Sequence, residues 1–211
     1  MAHGPIYREA HPLPMLLTHW LHLISMVVLA FTGLYIHYPF FPGFMSVARG
    51  AHFFFMYVLI ITLAVRIVLM FTIKTANVGD SREKDLDAKN FLPQKENRGT
   101  LFSTIGYYLF VKKEYSHKGK YNALQKVSYV LIPIMIVFMA WTGFSIYGPY
   151  MDNSFFQSSI ELVGGPMNMR IIHYFMMWVF IIFTAIHAYL ATIYGFAPAK
   201  MIFAWKESSK S

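Results

Sequence analysis

Four long apolar runs constrain the fold of this 211-residue chain more than any other feature of its sequence. No residue between Glu9 and Arg49 is charged, and the other three runs carry at most one interior charge each. A helix needs about 20 predominantly apolar residues to cross the hydrocarbon of a bilayer. The sequence therefore predicts an all-α integral membrane protein, a four-helix transmembrane bundle. We place its helices at about 15–36, 50–73, 127–147 and 170–194.

The composition agrees with a membrane protein and excludes several kinds of site. Hydrophobic residues make up 56% of the chain and charged residues 13%, against about 25% charged in soluble domains. The chain has no cysteine, which excludes c-type haem attachment, thiolate-bound clusters and disulfides within it. We expect residues 1–211 to form one domain, without a cleavable signal peptide because no small-residue cleavage site follows the first apolar run.

The distribution of basic residues predicts the orientation in the membrane. The link at 74–126 holds eleven Lys and Arg, and four more lie near the two termini, whereas the other side carries only Arg49 and Arg170. The positive-inside bias then puts both termini and the link in the cytoplasm, with the spans in a bacterial or archaeal cytoplasmic membrane. The net charge of +8 mostly reflects this bias, so a nucleic-acid partner has no independent support.

Histidines inside the predicted spans indicate the class of function. A histidine in hydrocarbon is costly and normally marks a site that handles protons, ions or a cofactor. His173 and His187 are fourteen residues apart, which puts them on nearly the same helix face and about 21 Å apart along the axis. That distance is too long for one metal ion and suits two stacked cofactors. The sequence therefore predicts a membrane cytochrome whose bundle encloses two b-type haems.

The predicted topology pairs the haem ligands by depth. His52 and His173 both lie near the outer surface, whereas His19 and His187 lie near the inner one. His22 shares a helix face with His19, one turn away, and is the alternative ligand on the first helix. His37 is expected at the outer membrane interface. Any one of these histidines taken alone has a simpler interpretation, a hydrogen bond to a backbone carbonyl of a neighbouring helix.

A weak internal duplication supports the pairing. Thr32-Gly33 recurs as Thr142-Gly143 near the ends of the first and third spans. Likewise, Arg49-x-x-His52 recurs as Arg170-x-x-His173 at the start of the second and fourth. Because glycine has no side chain, Gly33 and Gly143 would let a flat macrocycle approach the backbone closely.

Arg66 marks a difference between the two halves of the chain. It stands fourteen residues after His52, where the second half has His187. An arginine at this depth would neutralise a haem propionate or the charge of a bound quinone. The alternative is that Arg66 pairs with a helix carbonyl or extends its guanidinium to the inner surface.

These motifs resemble a known family. Together with His19-Trp20 and His187-Ala188-Tyr189-Leu190, they look like the dihaem b-type cytochrome subunit of membrane-bound nickel–iron hydrogenases. They are also similar to the gamma subunits of respiratory formate dehydrogenases and the cytochrome b subunits of thiosulfate reductases. The resemblance covers all four spans. It implies that His19, His52, His173 and His187 bind two haems b.

The resemblance also implies a function and a quinone site. Segment 119–126 looks like the stretch that borders the quinone pocket in the formate dehydrogenase branch, which makes Asn122 and Gln125 candidates beside Arg66. The chain would then be a membrane-anchoring electron-transfer subunit, surrounded by membrane lipid. It would pass electrons through its haems between an external iron–sulfur partner and menaquinone or ubiquinone. Catalysis at the substrate would belong to a partner subunit, so no catalytic residue is assigned in this chain.

Two other classes of function remain open from the sequence. One is a stand-alone, quinone-linked cytochrome b that oxidises superoxide, which co-purification of a cluster-bearing subunit would exclude. The other is a transporter or a bare anchor whose histidines relay protons or bind a metal ion. A reduced-minus-oxidised absorbance spectrum would distinguish a transporter or anchor from a cytochrome, because a transporter or anchor contains no haem.

The orientation is directly testable. We expect protease added to intact right-side-out cells to leave the link at 74–126 uncut and to cleave it in inverted vesicles. The reason is that eleven basic residues in a loop of fewer than about 60 residues are a strong cytoplasmic retention signal. Immunoblotting of the fragments makes the measurement, and cleavage in intact cells would reverse the topology.

Overall fold

The chain is mostly helical in a computed structural model that describes residues 8–76, 84–91, 100–112, 123–192 and 196–207. In chain order, the helices are α1 (Leu13–His37), α2 (Met45–Thr72), α3 (Asp87–Phe91), α4 (Thr100–Tyr108), α5 (Ala123–Ser145), α6 (Ser154–Leu162), α7 (Pro166–Thr192) and α8 (Ala197–Ala204). Four of them, α1, α2, α5 and α7, are long and apolar enough to cross a membrane. This confirms the expectation of four membrane-spanning helices.

The long helices begin earlier than the apolar runs indicate. Helix α2 begins at Met45 and α7 at Pro166, whereas the sequence analysis starts these spans at residues 50 and 170. The start of α7 has a local cause, since Gly164 and Gly165 adopt φ values of 85° and 116° just before it. Pro166 then occupies the first turn, where a missing backbone N–H costs no hydrogen bond. Helix starts are thus set by turn and capping residues rather than by where the apolar run begins.

The link between α2 and α5, treated above only as a cytoplasmic loop, contains regular structure. Strands β1 (Lys74–Ala76) and β2 (Lys84–Leu86) pair in antiparallel fashion, and α3 and α4 follow them. Thr75 is fully buried on β1, and its hydroxyl donates to Asp87 Oδ1 at 2.9 Å. Strands this short give no alternating apolar pattern, which is why the sequence analysis does not find them.

The chain divides into two compact units, the first made of residues 1–19, 64–131 and 186–211. Segments from near both ends of the sequence pack together in this unit. The Arg8 guanidinium lies 4.7 Å from the centre of the Trp205 ring, and Arg8 Nε donates to the Trp205 carbonyl at 3.0 Å. Trp205 Nε1 in turn donates to the carbonyl of His11 at 3.2 Å. A cation over an aromatic face and two hydrogen bonds therefore hold these segments.

The second unit comprises residues 20–63 and 132–185, and it contains the apolar core. All four long helices contribute to that core. Its buried members are Leu59, Leu63, Met135, Ile136 and Phe180, with Met26 and Leu29 of α1 packed against them. Because lipid is as apolar as these side chains, helices in a membrane associate through van der Waals contact and hydrogen bonds rather than through hydrophobic burial.

An aromatic turn joins α1 to α2 within the second unit. Tyr35 is almost fully buried, and its hydroxyl donates to the carbonyl of Phe41. Its ring lies 5.2 Å from that of Phe40 and 5.3 Å from that of Phe44, centre to centre and edge to face in each case. Gly43 takes a φ of 82°, a conformation that glycine adopts without strain. This turn holds the end of α1 against the start of α2, the region that carries the site described next.

Candidate haem sites

Helix α1 supports a histidine of α2. His52 lies about two turns inside α2, and its Nδ1 is 2.9 Å from Thr32 Oγ1 on α1. The Thr32 side chain is buried, with Oγ1 only 2.6 Å from the carbonyl oxygen of Val28 on its own helix. The His52 ring is therefore linked by a hydrogen bond to a side chain that its own helix holds in place.

The second half of the chain repeats this arrangement. His173 lies about two turns inside α7, and its Nδ1 is 2.8 Å from Thr142 Oγ1 on α5. Thr142 is fully buried, with Oγ1 at 3.1 Å from the carbonyl oxygens of both Phe138 and Met139. The duplication noted in the sequence is thus a structural one, a pair of helices in each half with the same threonine–histidine contact.

The two supported histidines come together. The ring centres of His52 and His173 are 6.4 Å apart, and the ring planes are inclined at 67°. A metal ion bonded to one nitrogen of each of two opposed imidazoles at about 2.0 Å would hold the ring centres about 6 Å apart. The separation therefore fits one iron atom between the two rings.

The donor set also fits a haem. A haem iron takes four ligands from the porphyrin and needs only two from the protein. Among the residues that the structure describes, no three His, Asp or Glu side chains form a group that could hold a metal ion. Two neutral imidazoles without a carboxylate suit an iron porphyrin better than a free divalent cation.

The two predicted glycines lie against the histidine rings. A Cβ built on Gly143 would lie 3.2 Å from His173 Cε1, and one on Gly33 would lie 3.5 Å from His52 Cε1. The sequence analysis assigned this space to the macrocycle, and that role stays a prediction. In the structure, the missing side chains leave room for the imidazoles.

The other predicted ligand pair is placed differently. His19 and His187 both belong to the first compact unit, and both side chains are exposed. His22, the alternative ligand on α1, is half-buried and falls in the second unit. The structure therefore brings His52 and His173 into contact range, and it groups His19 with His187 in one unit.

The predicted quinone residues lie in or next to the same unit. Arg66 is half-buried, and its Nη1 is fully buried without a hydrogen-bond partner within the described part of the chain. Gln125 is an exposed residue in the first turn of α5. Asn122 lies outside the described residues. A buried guanidinium nitrogen without an acceptor is unusual, and a bound ion or ligand is one way to satisfy it.

Sequence reasoning missed Thr32 and Thr142 as site residues. The signal was present, since both halves carry Thr-Gly at corresponding positions, but only the glycines were assigned a role. His37, which the sequence analysis expects at the outer interface, is exposed and stacks on Tyr174 with ring centres 3.9 Å apart.

Four helices apolar enough to cross a membrane and two neighbouring, threonine-supported imidazoles are features expected of a b-type membrane cytochrome. Residues 10–204 match the family described as prokaryotic cytochrome b561. Since that match covers nearly the whole chain, the chain belongs to this family. Membership implies that it is a multi-pass membrane protein and that it binds b-type haem.

Curated relatives agree with the family assignment. The chain is 31% identical to a probable Ni/Fe-hydrogenase B-type cytochrome subunit of Azotobacter chroococcum, over 84% of this chain and 77% of the relative. A protein of the same description from Azotobacter vinelandii is 29% identical over the same shares. The probable Ni/Fe-hydrogenase 1 B-type cytochrome subunit of Escherichia coli is 27% identical, over 84% of this chain and 79% of the relative.

The two glycines should differ in their tolerance of a methyl group. We expect Gly143→Ala to weaken haem retention roughly tenfold, the loss typical of disturbed support for a metal ligand. The added Cβ would lie 3.2 Å from the His173 ring, which must then shift, whereas Gly33→Ala makes an ordinary 3.5 Å contact with the His52 ring and should retain more haem than Gly143→Ala. Haem per chain after purification in detergent is the readout, and equal retention in the two variants would contradict the prediction.

Proposed function

We propose that this chain is the electron-transfer subunit of a respiratory oxidoreductase complex and holds two haems b, each between two histidines. It would carry electrons between an external iron–sulfur partner, a Ni/Fe hydrogenase, and a membrane quinone. The observation that carries the proposal is the proximity of His52 and His173, whose ring centres are 6.4 Å apart. A bound haem b supplies a one-electron Fe(III)/Fe(II) couple at such a site.

The outer haem is assigned to His52 and His173. Both imidazoles are half-buried and linked to buried threonines, so their orientation is set before the cofactor binds. Preorganised ligands lower the entropic cost of binding. Gly33 and Gly143 are proposed to pack against this haem as well as against the histidine rings.

The inner haem is assigned to His19 and His187. Both are exposed on helices that are apolar enough to cross a membrane. A histidine within a membrane-spanning helix normally marks a functional site. The grouping of both histidines in the first compact unit supports the pairing. His22 remains the alternative ligand on α1.

Arg66 is proposed to hold an anionic oxygen near this inner site. Its Nη1 is buried without an acceptor, and Arg66 belongs to the same unit as His19 and His187. A guanidinium is always charged and presents several N–H donors in a fixed plane. A haem propionate or a quinone oxygen would accept from it. Either acceptor would satisfy the one unpaired guanidinium nitrogen that the described structure contains.

The quinone site is proposed at the cytoplasmic end, bordered by Arg66, Gln125 and Asn122. Gln125 lies in the first turn of α5 next to a basic link, where a quinone would take its protons directly from the cytoplasm. An amide side chain there can donate to a quinone carbonyl, and low dielectric strengthens such a bond. Menaquinone and ubiquinone both present that carbonyl.

The partner proposal rests on the relatives. Their names describe hydrogenase cytochrome subunits, which favours a Ni/Fe hydrogenase over a formate dehydrogenase or a thiosulfate reductase, and over a stand-alone cytochrome. We also propose that residues 1–211 form one transmembrane cytochrome b domain in the cytoplasmic membrane. Both termini would be cytoplasmic, as the charge distribution predicts.

Haem content tests the ligand assignment. We expect two low-spin haems per chain, and loss of one of them in His52→Ala or His173→Ala, because each variant removes a ligand of the outer haem only. His19→Ala or His187→Ala should remove the other haem. The measurement is the pyridine haemochrome assay combined with redox titration of the reduced-minus-oxidised spectrum.

His37→Ala is the matched control for these variants and should keep both haems, because His37 is exposed and assigned to neither. One haem in the unaltered chain, or loss of both haems in every ligand variant, would refute the pairing. Loss of the inner haem in His22→Ala but not in His19→Ala would reassign the ligand on α1.

Quinone reduction tests the second site. We expect Arg66→Gln, and separately the Asn122→Ala/Gln125→Ala double variant, to weaken quinone binding about 10- to 100-fold, the usual cost of losing a hydrogen bond to a charged or buried polar group. Haem reoxidation by added quinone, followed by stopped-flow absorbance, gives the apparent affinity. Lys89→Gln, an exposed cation of the same unit, is the control. Unchanged affinity in both test variants, with full haem content, would remove these residues from the site.

A further inference from the structure

Thr32 and Thr142 each contact one histidine of the His52–His173 site, and each threonine hydroxyl also contacts a carbonyl of its own helix. Thr32 Oγ1 lies between the carbonyl oxygens of its own helix, Val28 at 2.6 Å and Leu29 at 3.3 Å, and His52 Nδ1 at 2.9 Å. Its side chain is 2% exposed. At this burial the hydroxyl cannot exchange these partners for bulk water, so its hydrogen bonds must be satisfied within the protein.

The hydroxyl proton decides how the histidine is protonated. A hydroxyl carries one proton and two lone pairs. At 2.6 Å from a carbonyl oxygen, which can only accept, Thr32 must donate its proton to Val28. It can then only accept from His52, whose Nδ1 must carry a hydrogen. In a neutral imidazole the other ring nitrogen, Nε2, is therefore unprotonated and free to bind a metal ion.

The same logic applies independently in the other half. Thr142 is 0% exposed, and its Oγ1 lies 3.1 Å from the carbonyl oxygens of Phe138 and Met139, which can only accept, and 2.8 Å from His173 Nδ1. When its proton goes to either carbonyl, Thr142 accepts from the Nδ1–H of His173, so the two helix pairs favour the same tautomer on two neighbouring rings. If these hydrogen bonds only satisfied two unrelated imidazoles, the same threonine–histidine contact would not be expected in both halves of the chain.

We infer that Thr32 and Thr142 are positioning residues of the haem site, each accepting the Nδ1–H of one ligand histidine and thereby presenting its Nε2 to the iron. This inference rests on the proposed ligation by His52 and His173. Threonine suits the role because its bond to a carbonyl of its own helix selects one χ1 rotamer, which fixes the position of the hydroxyl.

The same contacts affect the reduction potential. A hydrogen bond accepted from Nδ1–H makes the imidazole a stronger electron donor, which stabilises ferric iron more than ferrous iron. Both threonines therefore lower the potential of the haem that they support. Loss of either threonine hydroxyl should therefore raise the reduction potential of that haem and allow the histidine ring to rotate.

The experiment uses the full chain in detergent and three variants. Thr142→Val replaces the hydroxyl by a methyl group of similar size, and Thr142→Ser restores a hydroxyl. Thr62→Val is the matched control, because Thr62 is also buried on a long helix, 4% exposed, and within the described residues its hydroxyl bonds only the carbonyl of Val58 on its own helix, at 2.6 Å. The readouts are the midpoint potential of each haem and the largest g value in the electron paramagnetic resonance spectrum of the oxidised protein.

In Thr142→Val we expect ferric haem to lose affinity about tenfold relative to ferrous haem, which is a rise of about 59 mV for a one-electron couple. The largest g value should shift at the same haem, the one that is absent from His173→Ala. Thr142→Ser should return both quantities towards those of the unaltered chain, and Thr62→Val should leave them unchanged.

The outcomes separate this inference from the proposed ligation. If Thr142→Val keeps both haems with unaltered potentials and g values, the positioning role is wrong while the ligation stands. If Thr142→Val loses the haem and Thr142→Ser retains it, the hydroxyl is required and the inference is supported. If both lose it, packing rather than the hydroxyl is responsible and the inference fails. Retention of both haems in His173→Ala would instead overturn the ligation.

Discussion

An imidazole inside a membrane-spanning helix must have both of its nitrogens satisfied, and the rest of this site depends on how that is done. Water is not available in hydrocarbon, and an unsatisfied polar group there costs several kcal/mol, at about the level of a lost buried hydrogen bond or more. For His52 and His173, one nitrogen is within 2.9 Å of a buried threonine hydroxyl. The remaining nitrogen is the one that a haem iron would take. The helix pairing, the Thr-Gly motifs and the opposition of the two rings all follow from that requirement.

The duplication explains why the two proposed haem sites differ. Each half of the chain contributes one threonine-supported histidine to the His52–His173 pair, so that site uses the repeated motif twice. Fourteen residues further along, the second half has His187 and the first half has Arg66. The first half therefore offers a permanent cation where the second offers a ligand.

Much of this arrangement is predictable from the sequence, and the parts that are not have physical reasons. The four spans follow from run length, and the opposition of His52 and His173 follows from depth and topology. The start of α7 at Pro166 was missed because apolar runs do not register capping residues. The strands at Lys74–Ala76 and Lys84–Leu86 were missed because three residues show no period. The threonine contacts were missed because a hydrogen bond between helices depends on their packing, which one sequence does not display.

The most direct test of the central claim is near-infrared magnetic circular dichroism of the oxidised His19→Ala/His187→Ala variant, in which only the His52–His173 site can hold haem. The charge-transfer band of low-spin ferric haem distinguishes two nitrogen ligands from one nitrogen and one thioether. That distinction matters here, because Met177 Sδ lies as close to the Gly33 position as the His52 ring does, at 3.5 Å. We expect one haem per chain with the bis-histidine band. A histidine–methionine band, or a variant that binds no haem while remaining folded, would contradict the account.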